Sequence, residues 1–410
     1  MHASALEAPE SAYAWVRLCT AVALSTVGGV GMWSVVVALP AIQADFGVDR
    51  AAASLPYTLG MIGFAGGGVL MGRLADRYGV AVPAVLGAVM LSLGYIGSAL
   101  SPTLWLVALA QGTLIGVGCS ATFGPLMADI SHWFLRRRGI AVAIAASGNY
   151  VAGTVWPPVV QHFIAGYGWR ATHIGIGLFC VVTMLPLVLL MRRTIATQGS
   201  GTAQAEAAAR RQAELPVSPM TLQVLLCIAG VACCVAMSMP QVHIVAYCGD
   251  LGYGVARGAE MLSLMLGFGI ISRVGSGFIA DRIGGVRTLL LGAVLQGVAL
   301  VLYTLFDGLT SLYVISALFG LFQGGIVPSY AIIVREYFAP KEAGTRLGLV
   351  LMATLLGMAL GGWMSGAIFD LTGSYSAAFL NGTAWNLLNV SIMVWLLRRA
   401  PRQPSVAAMA

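Results

Sequence analysis

Two stretches, Gly72-Arg-Leu-Ala-Asp76-Arg77-Tyr-Gly79 and Gly277-Phe-Ile-Ala-Asp281-Arg282-Ile-Gly284, carry one pattern, G-x-x-A-D-R-x-G, 205 residues apart. At the same offset Gly168 meets Gly373. At an offset of 204, Gly153 meets Gly357 and the pair Trp133-Phe134 meets Tyr337-Phe338. Several matches at nearly one spacing indicate a duplicated unit. The motif suits a tight turn between helices, because glycine permits the turn and an Asp at a helix end can meet a neighbouring helix dipole. Asp76, Arg77, Asp281 and Arg282 are therefore candidates for a breakable conformational latch, with Asp129 near the same end of the fourth apolar span. Isolated solvated charges would be the bland reading of one copy, and the duplication argues against it.

Working outward from the two motifs, the chain is apolar nearly throughout. It has 59% hydrophobic and 9% charged residues, with a mean hydropathy of +0.88. Soluble domains carry about 25% charged residues, so a soluble fold is excluded. A helix needs roughly 20 apolar residues to cross a bilayer. Twelve such segments are predicted, near 14–41, 52–71, 81–100, 103–132, 139–165, 171–191, 220–247, 257–280, 287–305, 309–334, 343–369 and 376–397. The expected fold is an all-α membrane protein with twelve transmembrane helices in two pseudo-symmetric six-helix bundles. The expected boundaries are 1–193 for the first bundle, 194–219 for a polar linker, 220–400 for the second bundle and 401–410 for a tail.

The distribution of cations orients this arrangement. Of 22 Lys and Arg, 18 fall on the side of the repeated motif, only Arg50, Arg170 and Arg257 fall on the other, and Arg273 falls on neither. By the positive-inside rule the motif side is cytosolic, both termini lie in the cytosol, and the protein sits in the cell membrane. No cleavable signal is evident in residues 1–9. The net charge of +7 follows from topology, and no basic stripe with interleaved aromatics points to nucleic acid. The seven cysteines lack metal-ligand spacing and read as small packing residues, so no metal and no cofactor are expected.

Arg273 is the exception to the charge pattern. It lies within the apolar run 259–280, 16 residues from Arg257 and 8 from Asp281, or about 24 Å and 12 Å at 1.5 Å per residue. Centring an Arg in hydrocarbon costs about 2.5–3.5 kcal/mol on insertion scales, so it needs a partner. A bound anion is the sharper reading. Pairing with helix carbonyls, or snorkelling to the surface, is the structural one.

Twelve helices in two halves, with G-x-x-A-D-R-x-G after the second and eighth, resemble the major facilitator superfamily, whose members work by alternating access. Two further stretches resemble the monocarboxylate transporter branch: Trp133-Phe-Leu-Arg-Arg-Arg-Gly139-Ile-Ala141 followed by Ala145-Ala-Ser-Gly148, and Pro240-Gln-Val-His243-Ile-Val-Ala-Tyr247 ending in Asp250-Leu-Gly252. In that branch an Arg of the eighth helix binds the substrate carboxylate, and Ser272-Arg273-Val-Gly-Ser-Gly277 places Arg273 at the matching position. The resemblance implies a secondary transporter for a small monocarboxylate, functional as a monomer, with a proton as candidate co-substrate. It does not imply an enzyme, and no G-x-S-x-G, H-E-x-x-H or phosphate loop appears.

Departures from the family sharpen this. Animal members carry an Asp one turn before the Arg, where this chain has Gly269, and a Lys in the first helix, where this chain has none. Lys341 is the only lysine, which also counts against an oxalate-formate exchanger with its second cation in the eleventh helix. One cation suits a monoanion. All 15 acidic residues lie at span ends or in loops, leaving the substrate itself or His243 as routes for a proton. Helix depth adds Asn149, Tyr150, Thr122, Phe123 and Tyr330 as substrate-binding candidates, the fourth helix being expected to bend near Pro125. His243 is a candidate for the site or for an outer gate. An organic-acid exchanger and a drug exporter are the alternatives within transport. Ala108 before Gln111-Gly112, and Gly153-Thr-Val-Trp-Pro157-Pro158, lack the signatures of proton-drug antiporters.

Overall fold

The computed structural model describes residues 10–134, 137–192, 217–338 and 340–399. The linker, apart from residues 217–219, and the tail lie outside them. Ten helices are long and apolar enough to cross a membrane. One of these, Arg138–Leu189, turns at Gly168 (φ 78, ψ 163) and makes two crossings. The twelfth helix, Tyr375–Arg399, is less apolar because its buried face carries Asn386 and Asn389. In lipid every backbone polar group must be satisfied within the segment, which is why an apolar chain of this kind can only be helical.

We number the crossings α1 Ala12–Phe46, α2 Arg50–Tyr78, α3 Ala81–Leu100 and α4 Leu104–Trp133, then α5 138–167 and α6 169–189. The second six are α7 Pro219–Asp250, α8 Val255–Ile283, α9 Gly285–Leu305 and α10 Leu309–Tyr337, with α11 Pro340–Thr372 and α12 Tyr375–Arg399. Short turns make successive helices antiparallel. One face of the molecule carries the α2–α3 and α8–α9 turns (the Asp76 end), and the other carries the α1–α2 turn (the Arg50 end). Large side chains such as Leu93, Trp105 and Phe278 are more than half exposed on the flanks, as a lipid-facing surface requires.

The repeat predicted from sequence has a matching backbone. Gly79 ends α2 at φ 82, ψ 161 and Gly284 ends α8 at φ 84, ψ 163, each amide donating to the carbonyl four residues back at 2.8 Å. This left-handed region costs a side chain energy and costs glycine little, which explains the last residue of the motif. Within each half, backbones touch. A Cβ on Gly116 would lie 2.4 Å from the Gly60 carbonyl oxygen, and one on Gly324 would lie 2.4 Å from that of Gly269. So α2 packs on α4, and α8 on α10, through small residues.

One sequence match does not survive. Gly153 accepts Leu266 of α8, whereas Gly357 packs on Val231 of α7. The counterparts by environment are Gly148, on Ser25 of α1, with Gly357, and Gly153 with Gly362, which accepts Tyr57 of α2. At these two contacts the offset between α5 and α11 is 209 rather than 204.

Several helices break at mid-depth. α1 is interrupted at Gly29 between Ala12–Gly28 and Val30–Phe46. α4 has a π-helical turn at Gln111–Gly116 and a break at 121–123, directly before Pro125. α10 breaks at Gly324 and Gly325. Such interruptions free backbone groups and concentrate at functional sites.

Candidate substrate site

The two halves meet along α5 against α8 and α2 against α11. Hydrogen bonds between them run from the Arg50 end inward: Arg50 to Asp250, Thr58 to the Ala359 carbonyl, Ser263 to the Thr154 carbonyl, and Arg273 to the Ala146 carbonyl. Beyond Arg273, toward the Asp76 end, none joins the halves among the described residues. Among the described residues, the hydrogen bonds that join the halves lie at the Arg50 end and as far inward as Arg273.

Arg273 lies on α8, 18 residues from its first residue and 10 from its last, or about 27 Å and 15 Å along the axis. One terminal nitrogen donates to the Ala146 carbonyl of α5 at 3.2 Å. The guanidinium carbon sits 4.2 Å from the centre of the Tyr150 ring. Its Nε is buried and has no hydrogen bond among the described residues. The carbonyl contact belongs to the structural reading, and the orphaned donor is what that reading leaves unexplained.

Other arginines of the chain set the standard. Among the described residues five arginines are not exposed. Four of them pair a carboxylate: Arg17 with Asp129, Arg50 with Asp250, Arg170 with Asp45, and Arg346 with Glu342. Arg273 alone does not. Removing a charge from water is costly unless it is paired, so Arg273 is the arginine whose setting differs from the other four.

α5 brings two predicted residues to this point. The Tyr150 ring lies under the guanidinium. Asn149 is half-buried against the break in α1, its Oδ1 3.3 Å from where a Cβ on Gly29 would stand. Its carbonyl accepts from Trp33 Nε1 at 3.2 Å, while its side-chain amide takes no hydrogen bond among the described residues. Thr122 and Phe123 form the α4 break next to the same part of α1. The Thr122 hydroxyl donates to the Cys119 carbonyl at 2.8 Å, and its side chain fills the space above Gly28. Phe123 leans on Phe64 at 6.1 Å.

Two predicted site residues are not brought here. Tyr330 has no exposed surface and points its hydroxyl at Asn389 of α12, 3.4 Å away, inside the second half. His243 lies seven residues from Asp250 at the Arg50 end, with both ring nitrogens engaged: Nδ1 with the Tyr375 hydroxyl at 3.2 Å and Nε2 with the Gly362 carbonyl at 2.8 Å. That pattern fits a neutral ring donating from Nε2 and accepting at Nδ1. His243 thus lies among the residues that join the halves at the Arg50 end.

The latch candidates also divide. Asp129 is bound by Arg17 through two bonds of 2.6 and 2.8 Å, inside the first half, with Arg17 stacked 4.7 Å over Trp133. It ties α1 to α4 in this structure and does not reach the second half. Asp76, Arg77, Asp281 and Arg282 are exposed, and among the described residues none has an ion pair. Arg77 rests on the neighbouring Tyr78 ring.

Sequence reasoning missed the lock at the Arg50 end. Arg50 is 7% exposed and donates to both oxygens of Asp250 at 3.0 and 3.2 Å and to the Tyr375 hydroxyl at 2.5 Å. It also lies 4.8 Å over Phe369. Asp370 accepts from the amides of Arg50 and Ala51 at 2.9 and 2.7 Å, at the start of α2. The available signal was the scarcity of cations on that side together with acids at the ends of α7 and α11.

With this geometry in place, likeness to known proteins can be weighed. The sequence profile described as Major Facilitator Superfamily matches residues 21–311 and 261–409. The chain belongs to the major facilitator superfamily. It is accordingly a multi-pass membrane carrier, a secondary transporter rather than an enzyme. Within the superfamily it is 28% identical to monocarboxylate transporter 13 of Bos taurus over 331 residues, 79% of this chain and 75% of that one. The Rattus norvegicus protein of the same name is 27% identical over 400 residues, 95% and 90% of the two chains. Among solved structures, the nucleoside transporter NupG superposes with a TM-score of 0.73 at 13% identity, covering 93% of this chain and 99% of that one. A bacterial homologue of the human lysosomal transporter Spinster, inward-facing and occupied, gives 0.69 at 15% identity, covering 95% and 96%. At these identities the superpositions speak for the major facilitator fold alone.

Proposed function

We propose that this major facilitator carrier moves a small monocarboxylate anion by alternating access, with Arg273 pairing the carboxylate. The observation that carries the reading is that, among the described arginines that are not exposed, Arg273 alone has no carboxylate partner. A guanidinium presents a planar fork that fits two carboxylate oxygens. The Nε of Arg273 has no hydrogen bond among the described residues, and its fork is the donor proposed for such a ligand. Relatives named monocarboxylate transporters lend support from sequence. One cation without a second suits a monoanion.

In this reading the Asp76 end faces the cytosol, as the cation count favours, and the structure represents an inward-facing state. Asp76, Arg77, Asp281 and Arg282 are the charges that close that end when the Arg50 end opens. No mid-membrane carboxylate is present among the described residues, so a co-transported proton would travel on the substrate.

Uptake into proteoliposomes tests the reading, with labelled lactate, pyruvate, formate and acetate as probes and oxalate as the dianion control. Wild-type protein should show saturable uptake of at least one monoanion. Arg273→Ala and Arg273→Lys should both lose it at least a hundredfold, Lys because it lacks the fork, while thermal melts stay close to wild type. Undiminished uptake by Arg273→Ala would refute it.

A further inference from the structure

The partner that nature placed beside Arg273 is a ring, and the way it is seated is specific. A Cβ built on Gly269, one turn before Arg273 on α8, would lie 2.3 Å from Cε1 and 2.6 Å from Cδ1 of Tyr150. Carbon atoms do not approach so closely, so no side chain fits at 269 while the ring is there. The ring belongs to α5, in the other half of the molecule, and is 6% exposed. It occupies the notch that the missing side chain leaves, and from that notch it presents its face to the Arg273 guanidinium at 4.2 Å.

A ring face and a carboxylate hold a guanidinium in different ways. The negative face of the ring attracts the cation through its quadrupole and fixes the plane of the fork. It does not cancel the charge and accepts no N–H bond in the plane. An arginine held by a carboxylate, as Arg17 is by Asp129, has its donors filled and would have to release them before binding an anion.

We propose that Tyr150 is the positioning residue for Arg273, seated on Gly269, and that this pair keeps the guanidinium oriented yet uncompensated for an incoming carboxylate. The proposal rests on the carboxylate reading above. It assigns the work to the ring face rather than the hydroxyl, and it makes Gly269 a requirement of the site. It also places the orienting group and the binding group on opposite halves, so the fork is set when α5 and α8 are in contact at this depth.

The test is a KM and turnover comparison in proteoliposomes, using whichever monocarboxylate the wild type takes up, with Arg273→Ala alongside. Tyr150→Leu and the longer, unbranched Tyr150→Met should raise KM about tenfold, and Tyr150→Phe should recover that loss. Gly269→Ala should raise KM comparably, and its effect should not add to that of Tyr150→Leu, because both act through one ring. Installing phenylalanine analogues with one, two and three ring fluorines at position 150 weakens the face with little change of shape. KM should then climb stepwise with fluorine number. A flat fluorine series, or a loss in Tyr150→Phe as large as in Tyr150→Leu, overturns the proposal. If Arg273→Ala retains uptake, the carboxylate reading fails instead; if it loses uptake while Tyr150→Leu matches wild type, only the positioning role fails.

Discussion

Arg50 and Arg273 are both arginines withdrawn from solvent, and both reach from one half of the molecule to the other. Arg50 finds a carboxylate, a tyrosine hydroxyl and an aromatic ring waiting, with a second carboxylate on its own backbone amide. Arg273 finds a carbonyl and a ring face. The difference teaches that the same residue type can be held by a carboxylate that cancels its charge or by a ring face that does not. At the Arg50 end a carboxylate cancels the charge, although Arg50 Nε, like Arg273 Nε, is buried without a hydrogen bond among the described residues. Arg273 has no carboxylate partner among the described residues, and a ring face takes that place.

The contrast can be attacked from the gate side. Arg50→Ala should have the largest effect, because it leaves Asp250 and the Tyr375 hydroxyl without their shared donor. Breaking a buried pair costs about 3–5 kcal/mol, and the 37% exposure of the Asp250 side chain reduces this to about 1–3 kcal/mol. A cysteine placed at Thr58 in a cysteine-free background should then react at least tenfold faster with an impermeant thiol reagent added from the Arg50 side. An unchanged rate would mean that Arg50 does not hold this end shut.

Asp370→Asn should act in the same direction and more weakly. It leaves one neutral acceptor oxygen where Asp370 offered two, one to each of the Arg50 and Ala51 amides, because the NH2 of Asn cannot accept; the loss is about 1–2 kcal/mol, and the same labelling should quicken only a few-fold. A larger effect than that of Arg50→Ala would transfer the main closing contact from the guanidinium to the start of α2.

The smallest effect on stability is expected at the far end. Asp281→Asn alters an exposed residue with no ion pair among the described residues, and surface changes of this kind stay within about 0.5 kcal/mol. Its melting temperature should match wild type, while uptake turnover should fall several-fold if the charge closes the Asp76 end in the opposite state. Wild-type turnover would remove Asp281 from the latch.

Much of the architecture was legible because it is local. Runs of apolar residues fixed the crossings to within a few positions: 287–305 was expected and Gly285–Leu305 is found, 220–247 was expected and Pro219–Asp250 is found. The glycines of the repeated motif announced two turns that adopt nearly the same φ and ψ. Where the reading slipped, the information was not local. Gly153 and Gly357 matched by counting but face different neighbours, since only packing reveals which helix lies opposite. Tyr330 and His243 were placed at plausible depths on α10 and α7, yet depth along a helix does not give the direction in which a side chain points. Tyr330 turned into its own half and His243 toward the gate.

By itself, then, the sequence determined that this chain spans a membrane many times, that its halves are copies, and that Arg273 is a cation out of place in an apolar run. Hydrophobicity, turn chemistry and charge are properties a segment carries wherever it sits. Only the tertiary structure decided what each charge meets: Arg50 its acid 200 residues away, Asp129 its arginine 112 residues before it, and Arg273 a ring from the other half. Those outcomes depend on which helix faces converge and how closely glycine lets them approach, and neither is written in any one stretch of chain.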